Sequence, residues 1–355
     1  MKIDHVHFYT RNAARTRDWF IAHVGFQSLG NCISSDTHTE LIALNSAYFA
    51  ISSPLNSASP VAQYLNRHPS GLGDIAFRVA NLENAIARGR SLGLKLLQKI
   101  EAKTSPQGEV RLAQISGWQD LRHTLIEAPA DVDYYLPLAA KEVERPASKM
   151  ATIDHVVLNV ARGQLNNAVS LYQELFGLRV QQQFKIQTNK SGLASQALID
   201  DSGAVQFNIN EPTDSNSQIQ EFIDCNHGSG IQHLALRSPD LISDVAQMRR
   251  RGLNFLSVPS AYYHQLPQLE GLNTLEQQTI TQQQILIDCD RWLPQSLLMQ
   301  IFTQPIFEQP TFFLEFIERR HNAQGFGQGN FQALFAAVER EQGNRISKRV
   351  VSNHK

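Results

Sequence analysis

The feature that most constrains the fold is an internal repeat, in which two pairs of segments share one succession of structural signals. Residues 3–29 (IDHVHFYTRNAARTRDWFIAHVGFQSL) resemble residues 153–180 (IDHVVLNVARGQLNNAVSLYQELFGLRV), and residues 72–97 resemble residues 231–256. Each segment alternates apolar residues, then places them at helical spacing, and then has a glycine before a second apolar run. This pattern predicts a strand, an amphipathic helix, a glycine cap and another strand.

The two correspondences have nearly the same offset, which is 150 residues for the first (153 − 3) and 159 for the second (231 − 72). This agreement favours a duplicated βαβ-like unit over two similar helices that arose by chance. Residues 128–152 mix Pro, Ala and charged residues without sustained periodicity, as a linker does. We therefore expect one domain over residues 1–150 and a second over residues 151–355. The glutamine-rich stretch at residues 265–284 is interpreted as an irregular surface insertion.

Composition limits the classes of partner. The 355 residues include 32 Lys+Arg and 33 Asp+Glu, so no charge excess would attract nucleic acid or an anionic membrane. Three widely spaced cysteines argue against a disulfide framework. The N-terminus lacks the pattern of a signal peptide, and no apolar run approaches the roughly 20 residues that a membrane span needs. We expect a soluble cytoplasmic protein that acts on small molecules, with no nucleic-acid or membrane partner.

Three side chains of the metal-binding type lie in apolar, strand-like runs of the second half. His155 is in TIDHVVLNV, His233 in GIQHLALRS and Glu315 in TFFLEFIERR, so three strands could aim one ligand each into a common cavity. Two imidazoles and one carboxylate, with coordination positions left open, suit non-haem Fe(II) oxygenases. A single strand histidine is more often core or surface. The hypothesis of an iron-dependent oxygenase therefore depends on the combination.

The first half contains a weaker version of this set. Alignment of the halves places His5 opposite His155, Asp74 opposite the second histidine, and Glu127 opposite Glu315. An oxygen ligand then replaces an imidazole nitrogen, which weakens the preference for iron. We expect the first domain to be a degenerate structural copy without a metal.

Several longer segments carry a family resemblance. The second half resembles the 4-hydroxyphenylpyruvate dioxygenase family of the vicinal oxygen chelate superfamily through IDHVVLNV, NINEP, SQIQEFID, GIQHLAL, FLSVPSAYY, ILIDCD, LLMQIFTQP, TFFLEFIERR and GFGQGNFQALFAAVERE, between residues 153 and 341. The first half matches weakly, through the repeat and RHTLIEAP. The resemblance implies an α+β fold of two open β-barrel domains, built from paired βαβββ modules, with a C-terminal lid helix.

The resemblance also implies a site and a reaction. His155, His233 and Glu315 would hold one Fe(II) per chain in the catalytic second domain. The enzyme would convert 4-hydroxyphenylpyruvate and O2 to homogentisate and CO2, in tyrosine breakdown or in supply of quinone and tocopherol precursors, as a homo-oligomer (dimer or tetramer). The residues implied in substrate binding are Ser195, Asn210, Gln218, Gln232, Gln300, Phe302, Phe313, Phe326, Asn330 and Phe331.

The glycine-rich entry to the last predicted helix, followed by an apolar stripe that includes Phe331, fits either core packing or a lid. The resemblance favours the lid. Similar enzymes usually have proline where Asn208 stands and lysine where Gln304 stands. The alternatives are a 4-hydroxymandelate synthase, an extradiol-type dioxygenase, and a metal-free binding or resistance protein with the same fold.

Overall fold

A computed structural model describes residues 1–105, 108–129, 152–188, 191–264, 272–290, 293–330, 333 and 337–338. These residues form two eight-stranded sheets. The first contains β1 (Lys2–Tyr9), β2 (Gln27–Ile33), β3 (Thr37–Leu44), β4 (Ala47–Pro54), β5 (Gly71–Arg78), β6 (Leu96–Ser105), β7 (Gly108–Ser116) and β8 (Arg122–Glu127). The second contains β9 (Ile153–Asn159), β10 (Arg179–Gln187), β11 (Gly192–Ile199), β12 (Gln206–Pro212), β13 (Gly230–Arg237), β14 (Leu286–Asp290), β15 (Leu293–Phe302) and β16 (Phe313–Arg319).

The helices pack against these sheets and against one another. They are α1 (Ala13–Trp19), α2 (Pro60–Leu65), α3 (Leu82–Ser91), α4 (Leu165–Phe176), α5 (Gln218–Asn226), α6 (Leu241–Arg250), α7 (Ser260–His264) and α8 (Thr274–Gln283). A π-helical segment, Phe20–Val24, continues α1, and a short 3-10 helix, Arg320–Asn322, follows β16. Across the described ranges, every helix falls short of the length and apolarity that a membrane span requires.

Both sheets have one topology, which confirms the predicted duplication. The strand order is β2-β3-β4-β1-β5-β8-β7-β6 in the first sheet and β10-β11-β12-β9-β13-β16-β15-β14 in the second. Each half-sheet is a βαβββ module whose first and last strands pair in parallel, and the antiparallel pairs β1–β5 and β9–β13 join the modules. The fold is α+β, with two curled half-barrel sheets, as the sequence predicts.

The four glycines that follow the repeated helices have the predicted role. Gly25, Gly93, Gly177 and Gly252 all have positive φ, between 71° and 101°. A side chain is disfavoured in this left-handed region, so glycine ends each helix at low conformational cost. The helix end is therefore encoded locally in all four modules.

Two expectations for the second half are wrong. The strand predicted after Gly252 does not form, because Phe255 makes an isolated bridge to Thr303 and the chain then enters α7. The glutamine-rich stretch is not irregular throughout. Its residues 274–283 form α8, which begins with an Asn273–Glu276 capping box and buries Ile280 against the core. Residues 265–271 of that stretch lie outside the described residues.

The two sheets share one apolar cluster. Phe8 of β1 packs edge-on against Phe312, just before β16, with ring centroids 5.1 Å apart. The His123 Nε2 of β8 lies 3.1 Å from the hydroxyl of Tyr172 on α4. Large apolar side chains of both halves are thus removed from water together, which stabilises their relative placement.

Residues 328–330, 333 and 337–338 are helical. Ala337 is buried in a cluster with Phe302 and Phe313, and Val338 packs against the same cluster. Phe331, predicted to belong to the lid, lies outside the described residues. The described part of this helix therefore sits over the second sheet, where the sequence places a lid.

Candidate metal centre and substrate cavity

The three predicted ligands converge on the central strands of the second sheet. His155 lies on β9, His233 on β13 and Glu315 on β16, and these strands are neighbours. The Oε2 of Glu315 is 3.2 Å from the Nε2 of His155 and 3.5 Å from the Nε2 of His233. The three ligand atoms lie within 4.8 Å of one another, and all three residues are buried. The sequence combination therefore forms one compact donor set.

Each histidine is oriented by the residue that precedes it in the chain. The Nδ1 of His155 is 3.0 Å from the Oδ1 of Asp154, and the Nδ1 of His233 is 3.2 Å from the Oε1 of Gln232. Both oxygens accept hydrogen bonds, so Nδ1 carries the proton and the Nε2 lone pair of the neutral ring is available to a cation. The two imidazoles, the carboxylate and the oxygens that hydrogen-bond to the imidazoles fit a divalent metal.

Glu315, the third predicted ligand, is also positioned by a hydrogen bond from a neighbouring side chain. Gln300 donates through Nε2 to the Oε1 of Glu315 (2.8 Å) and to the backbone oxygen of Phe326 (3.0 Å), and its Oε1 accepts from the Nδ2 of Asn330 (2.9 Å). One carboxylate oxygen is thus occupied by an amide, and the other faces the two imidazoles. Predicted substrate residues Gln300 and Asn330 belong to this network.

The charged side chains of the site shift one another's pKa values. Burial opposes the charged form of His155, but the carboxylates of Glu315 and Asp154 outweigh burial and raise the pKa of that histidine to about 9. Burial likewise opposes ionisation of Glu315, and the two imidazoles overcome it and lower its pKa to about 2. The pKa of His233 is lowered, chiefly by burial. Glu315 is therefore an anion at neutral pH, which is the form that binds cations, whereas His155 must give up its Nε2 proton before that nitrogen can bind one.

A cavity opens beside the three ligands. Its walls combine aromatic rings with amide side chains, a mixture suited to an aromatic molecule that carries polar groups. Of the predicted substrate residues, those that line it are Asn210, Gln218, Gln232, Gln300, Phe302, Phe313 and Phe326. The ring of Phe313 stacks on His233 at 4.7 Å, and the ring of Phe326 meets His155 edge-on at 5.4 Å.

The other predicted substrate residues are placed differently. Ser195 does not line the cavity, but it pairs with Asn210 across the β11–β12 ladder, and its buried Oγ has no hydrogen-bond partner among the described residues. Asn330 is buried behind Gln300 and also accepts from the Tyr262 hydroxyl (2.7 Å). Phe331 lies outside the described residues.

Several lining residues were missed by the sequence analysis. They are Val157, Phe184, Ile186, Leu193, Asn208, Ile219 and Val338. Strand alternation could have found some of them, since Val157 lies two residues after His155 and Asn208 two before Asn210, on the same faces. Asn208 is buried, and its Oδ1 has no hydrogen-bond partner among the described residues. The cavity wall thus contains an unused acceptor.

The alignment of Glu127 with Glu315 is wrong. Glu127 accepts a hydrogen bond from the backbone N–H of Leu82, at the start of α3 (2.7 Å). Its counterpart is Glu318, which accepts from the N–H of Leu241 at the start of α6 (2.7 Å). Both carboxylates cap a helix N-terminus, where negative charge is favourable. A weak repeat could not define the register of these last strands.

By strand register, Thr124 occupies in the first sheet the position of Glu315 in the second. Its Oγ1 donates to the Oδ2 of Asp74 (2.5 Å), and Gln114 donates to the same oxygen (2.9 Å). The Asp74 carboxylate, which stands at the position of the second histidine, is therefore satisfied by side-chain donors. At the two equivalent positions of the described first half, Asp74 and Thr124 therefore replace the second imidazole and the third carboxylate.

Comparisons with known proteins agree with this architecture. Residues 152–266 match the Glyoxalase/Bleomycin resistance protein/Dioxygenase superfamily, and residues 3–140 match a Glyoxalase-like domain. An uncharacterised protein of Synechocystis is 37% identical over 96% of this chain and 97% of its own length. The 4-hydroxyphenylpyruvate dioxygenase of Yarrowia lipolytica is 33% identical over 96% of this chain and 92% of its own.

A solved structure has the same fold over nearly the whole chain. A mutant of 4-hydroxymandelate synthase from Streptomyces coelicolor is 26% identical, with a TM-score of 0.85, and covers 96% of this chain and 98% of its own. The paired modules and the buried His-His-Glu set define an enzyme of the glyoxalase and dioxygenase superfamily. Within it, the chain belongs to the 4-hydroxyphenylpyruvate dioxygenase family, with relatives at more than 30% identity over 96% of its length.

Proposed function

We propose that the protein is an Fe(II)-dependent dioxygenase that converts 4-hydroxyphenylpyruvate and O2 to homogentisate and CO2, with one iron per chain. The observation that supports this most is the convergence of two imidazole nitrogens on one carboxylate oxygen, at 3.2 and 3.5 Å, beside a cavity lined by aromatic rings and amides. Two histidines and one carboxylate suit non-haem iron. The named activity of the Yarrowia lipolytica relative uses the same substrate.

The iron, when bound to His155, His233 and Glu315, would supply the oxidation chemistry and leave positions for the 2-oxo acid and O2. The chain's own residues supply position and surroundings. Phe313 and Phe326 give the ring flat apolar walls. Amide side chains provide hydrogen bonds to the polar ends of the substrate, and Val338, which lines the cavity, adds an apolar contact.

The experiment is anaerobic reconstitution with Fe(II), followed by 4-hydroxyphenylpyruvate and O2, with products identified by mass and NMR. Homogentisate and CO2 in equal amounts support the proposal. 4-Hydroxymandelate would instead assign the second candidate, which the structural likeness to 4-hydroxymandelate synthase favours. Consumption of O2 without either product would overturn both.

Asn208→Leu is expected to weaken recognition of the phenol. Asn208 lines the cavity and has an Oδ1 without a partner, and an unpaired buried carbonyl gains most from a ligand that donates a hydrogen bond. The KM for 4-hydroxyphenylpyruvate should rise about ten-fold, which corresponds to one lost hydrogen bond. The KM for phenylpyruvate, which lacks the hydroxyl, should stay unchanged on the same variant. An equal rise for both substrates would contradict a role in phenol recognition.

His5→Ala in the first half is expected to leave the iron content at one per chain. His5 contacts Asp4 through Nδ1 (2.7 Å), and the third-ligand position of its sheet is held by Thr124. The matched variant His155→Ala removes a proposed ligand at the equivalent position of the second half and should lose most of the iron. Metal analysis after gel filtration measures the iron content of both variants. Loss of iron from His5→Ala would contradict the assignment of the first half as metal-free.

A further inference from the structure

A second, larger cavity lies between the two halves of the chain, away from the metal centre. Its walls are the end of β1 and start of α1, the end of α2, the end of α5 and the turn between β15 and β16. Its volume is about 550 Å3, within the range of small-molecule sites. It shares no described lining residue with the cavity beside His155. We call it the junction cleft.

The junction cleft is cationic. Arg11 and Arg15 line it, are exposed, and have no ion-pair or side-chain hydrogen-bond partner among the described residues. Arg67 also lines it and is paired with Asp120. Glu308 is the only acidic residue in the described lining. Two unpaired guanidiniums facing one cleft are a natural partner for an anion, because each presents several N–H donors in a planar fork.

The cleft also has an apolar side. Trp19, Ile306 and Phe307 line it and are half-buried. The ring of Phe307 lies 6.2 Å from the rings of Phe8 and of Phe312, so it is supported by the core. Aromatic rings that are held in place offer a flat contact to another ring at low entropic cost. The mixture of cations and rings suits an anion with an aromatic body.

The walls of the cleft are fixed to one another. The buried His68 is hydrogen-bonded through Nδ1 to the backbone oxygen of Asn226 (2.7 Å) and through Nε2 to Asp120 (2.9 Å). The Nδ1 of His227 contacts the backbone oxygen of Arg67 (3.1 Å). These bonds join α2 of the first half to α5 of the second. Binding to a preformed cavity costs less free energy of ordering than binding to a mobile surface does.

The hydroxyl of Thr10 adds a further polar group. Thr10 lines the cleft and is 1% exposed, and its Oγ1 has no hydrogen-bond partner among the described residues. A buried hydroxyl without a partner is unfavourable, and a bound acceptor can satisfy it. Thr10 and Arg11 both belong to the described lining of the cleft.

We propose that the junction cleft is a second ligand site, which binds a small aromatic anion with its carboxylate or phosphate group at Arg11 and Arg15 and its ring against Trp19 and Phe307. Phenyl phosphate is the probe. Inorganic phosphate carries the charge without the ring, and benzyl alcohol carries the ring without the charge. Titration calorimetry at low salt should give one phenyl phosphate per chain that persists in Glu315→Gln, where the metal centre is disabled.

The variant Arg11→Gln/Arg15→Gln should weaken phenyl phosphate at least about ten-fold, as expected for the loss of charge-assisted hydrogen bonds. Arg162→Gln is the matched control, since Arg162 is exposed and outside the cleft. Both should keep the wild-type melting temperature. Inorganic phosphate should bind roughly ten-fold more weakly than phenyl phosphate, and benzyl alcohol should not bind.

Results of three kinds would overturn the proposal. The first is that phenyl phosphate fails to bind the wild-type protein. The second is that binding is equal in the wild type and in the double variant, or disappears in Glu315→Gln, because the probe then occupies another site. The third is that inorganic phosphate binds as tightly as phenyl phosphate, because the aromatic wall then contributes nothing.

Discussion

Glu315→Gln is expected to abolish turnover and most iron binding while the fold persists. The substitution keeps the size of the side chain, and its amide oxygen can still accept the 2.8 Å hydrogen bond from Gln300. It removes the only anionic member of the donor set, whose Oε2 lies within 3.5 Å of both imidazoles. Loss of a second-layer partner alone costs roughly 10–100-fold in metal affinity, so loss of a direct ligand should exceed about 100-fold.

Glu318→Gln is the matched control for this prediction. Glu318 is a buried glutamate three residues further along β16, outside the cavity, where it accepts from the Leu241 N–H and pairs with Arg320. Its amide variant should lose stability and keep the full iron content and turnover. Metal analysis, product assay and thermal melting of both variants measure the contrast. Wild-type iron in purified Glu315→Gln would rule out the assigned ligand set.

The sequence predicts the local parts of this molecule well. Helix ends are encoded by single glycines, as Gly93 and Gly252 illustrate with φ of 80° and 81°. Strand alternation is likewise local, which is why His155 and Val157 can be assigned to one face before the sheet is known. The convergence of His155, His233 and Glu315 could be predicted because three separate strands each place one donor among apolar residues. Burial of these strands and their place in one sheet then bring the three donors together.

Features that depend on register or on tertiary contacts could not be predicted. Glu127 and Glu318 are equivalent because each caps a helix from a different strand, and this relation is invisible in a weak alignment. Residues 274–283 have the polar composition of a loop, yet burial of Ile280 and an Asn273 cap give a helix. The family resemblance implies that Gln300 binds substrate, whereas its hydrogen bonds with Glu315 and Asn330 become visible only in the fold.

A second large effect is expected at a residue that lies outside the donor set. Arg319 donates through Nε and a terminal nitrogen to both oxygens of Asp154 (2.9 and 2.6 Å), and Asp154 in turn holds the Nδ1 of His155. The other terminal nitrogen of Arg319 donates to the backbone oxygens of Ala323 and Gly325 (3.2 and 2.7 Å). Arg319 therefore joins the residue that orients His155, a proposed metal ligand, to the segment at Ala323 and Gly325.

Arg319→Gln should lower the free energy of unfolding by about 3–5 kcal/mol, because it leaves the Asp154 carboxylate buried without its close counter-ion. Iron affinity should fall roughly 10–100-fold as His155 loses its orienting partner. Arg237 is the matched control, since its Nε lies 3.7 Å from the same carboxylate but its side chain is 49% exposed. Arg237→Gln should cost no more than about 1 kcal/mol.

The double variant Arg319→Gln/Asp154→Asn separates charge from shape. Asparagine removes the uncompensated buried charge and keeps an oxygen that can accept from the Nδ1 of His155, so most of the lost stability should return. Iron affinity should recover less, because a neutral amide polarises the imidazole more weakly than a carboxylate does. Urea unfolding measures the free energy of unfolding, and iron titration measures the iron affinity. Both are applied to the wild type, Arg319→Gln, Arg237→Gln and the double variant. If Arg319→Gln were no more damaging than Arg237→Gln, the bidentate pair would not be what orients His155.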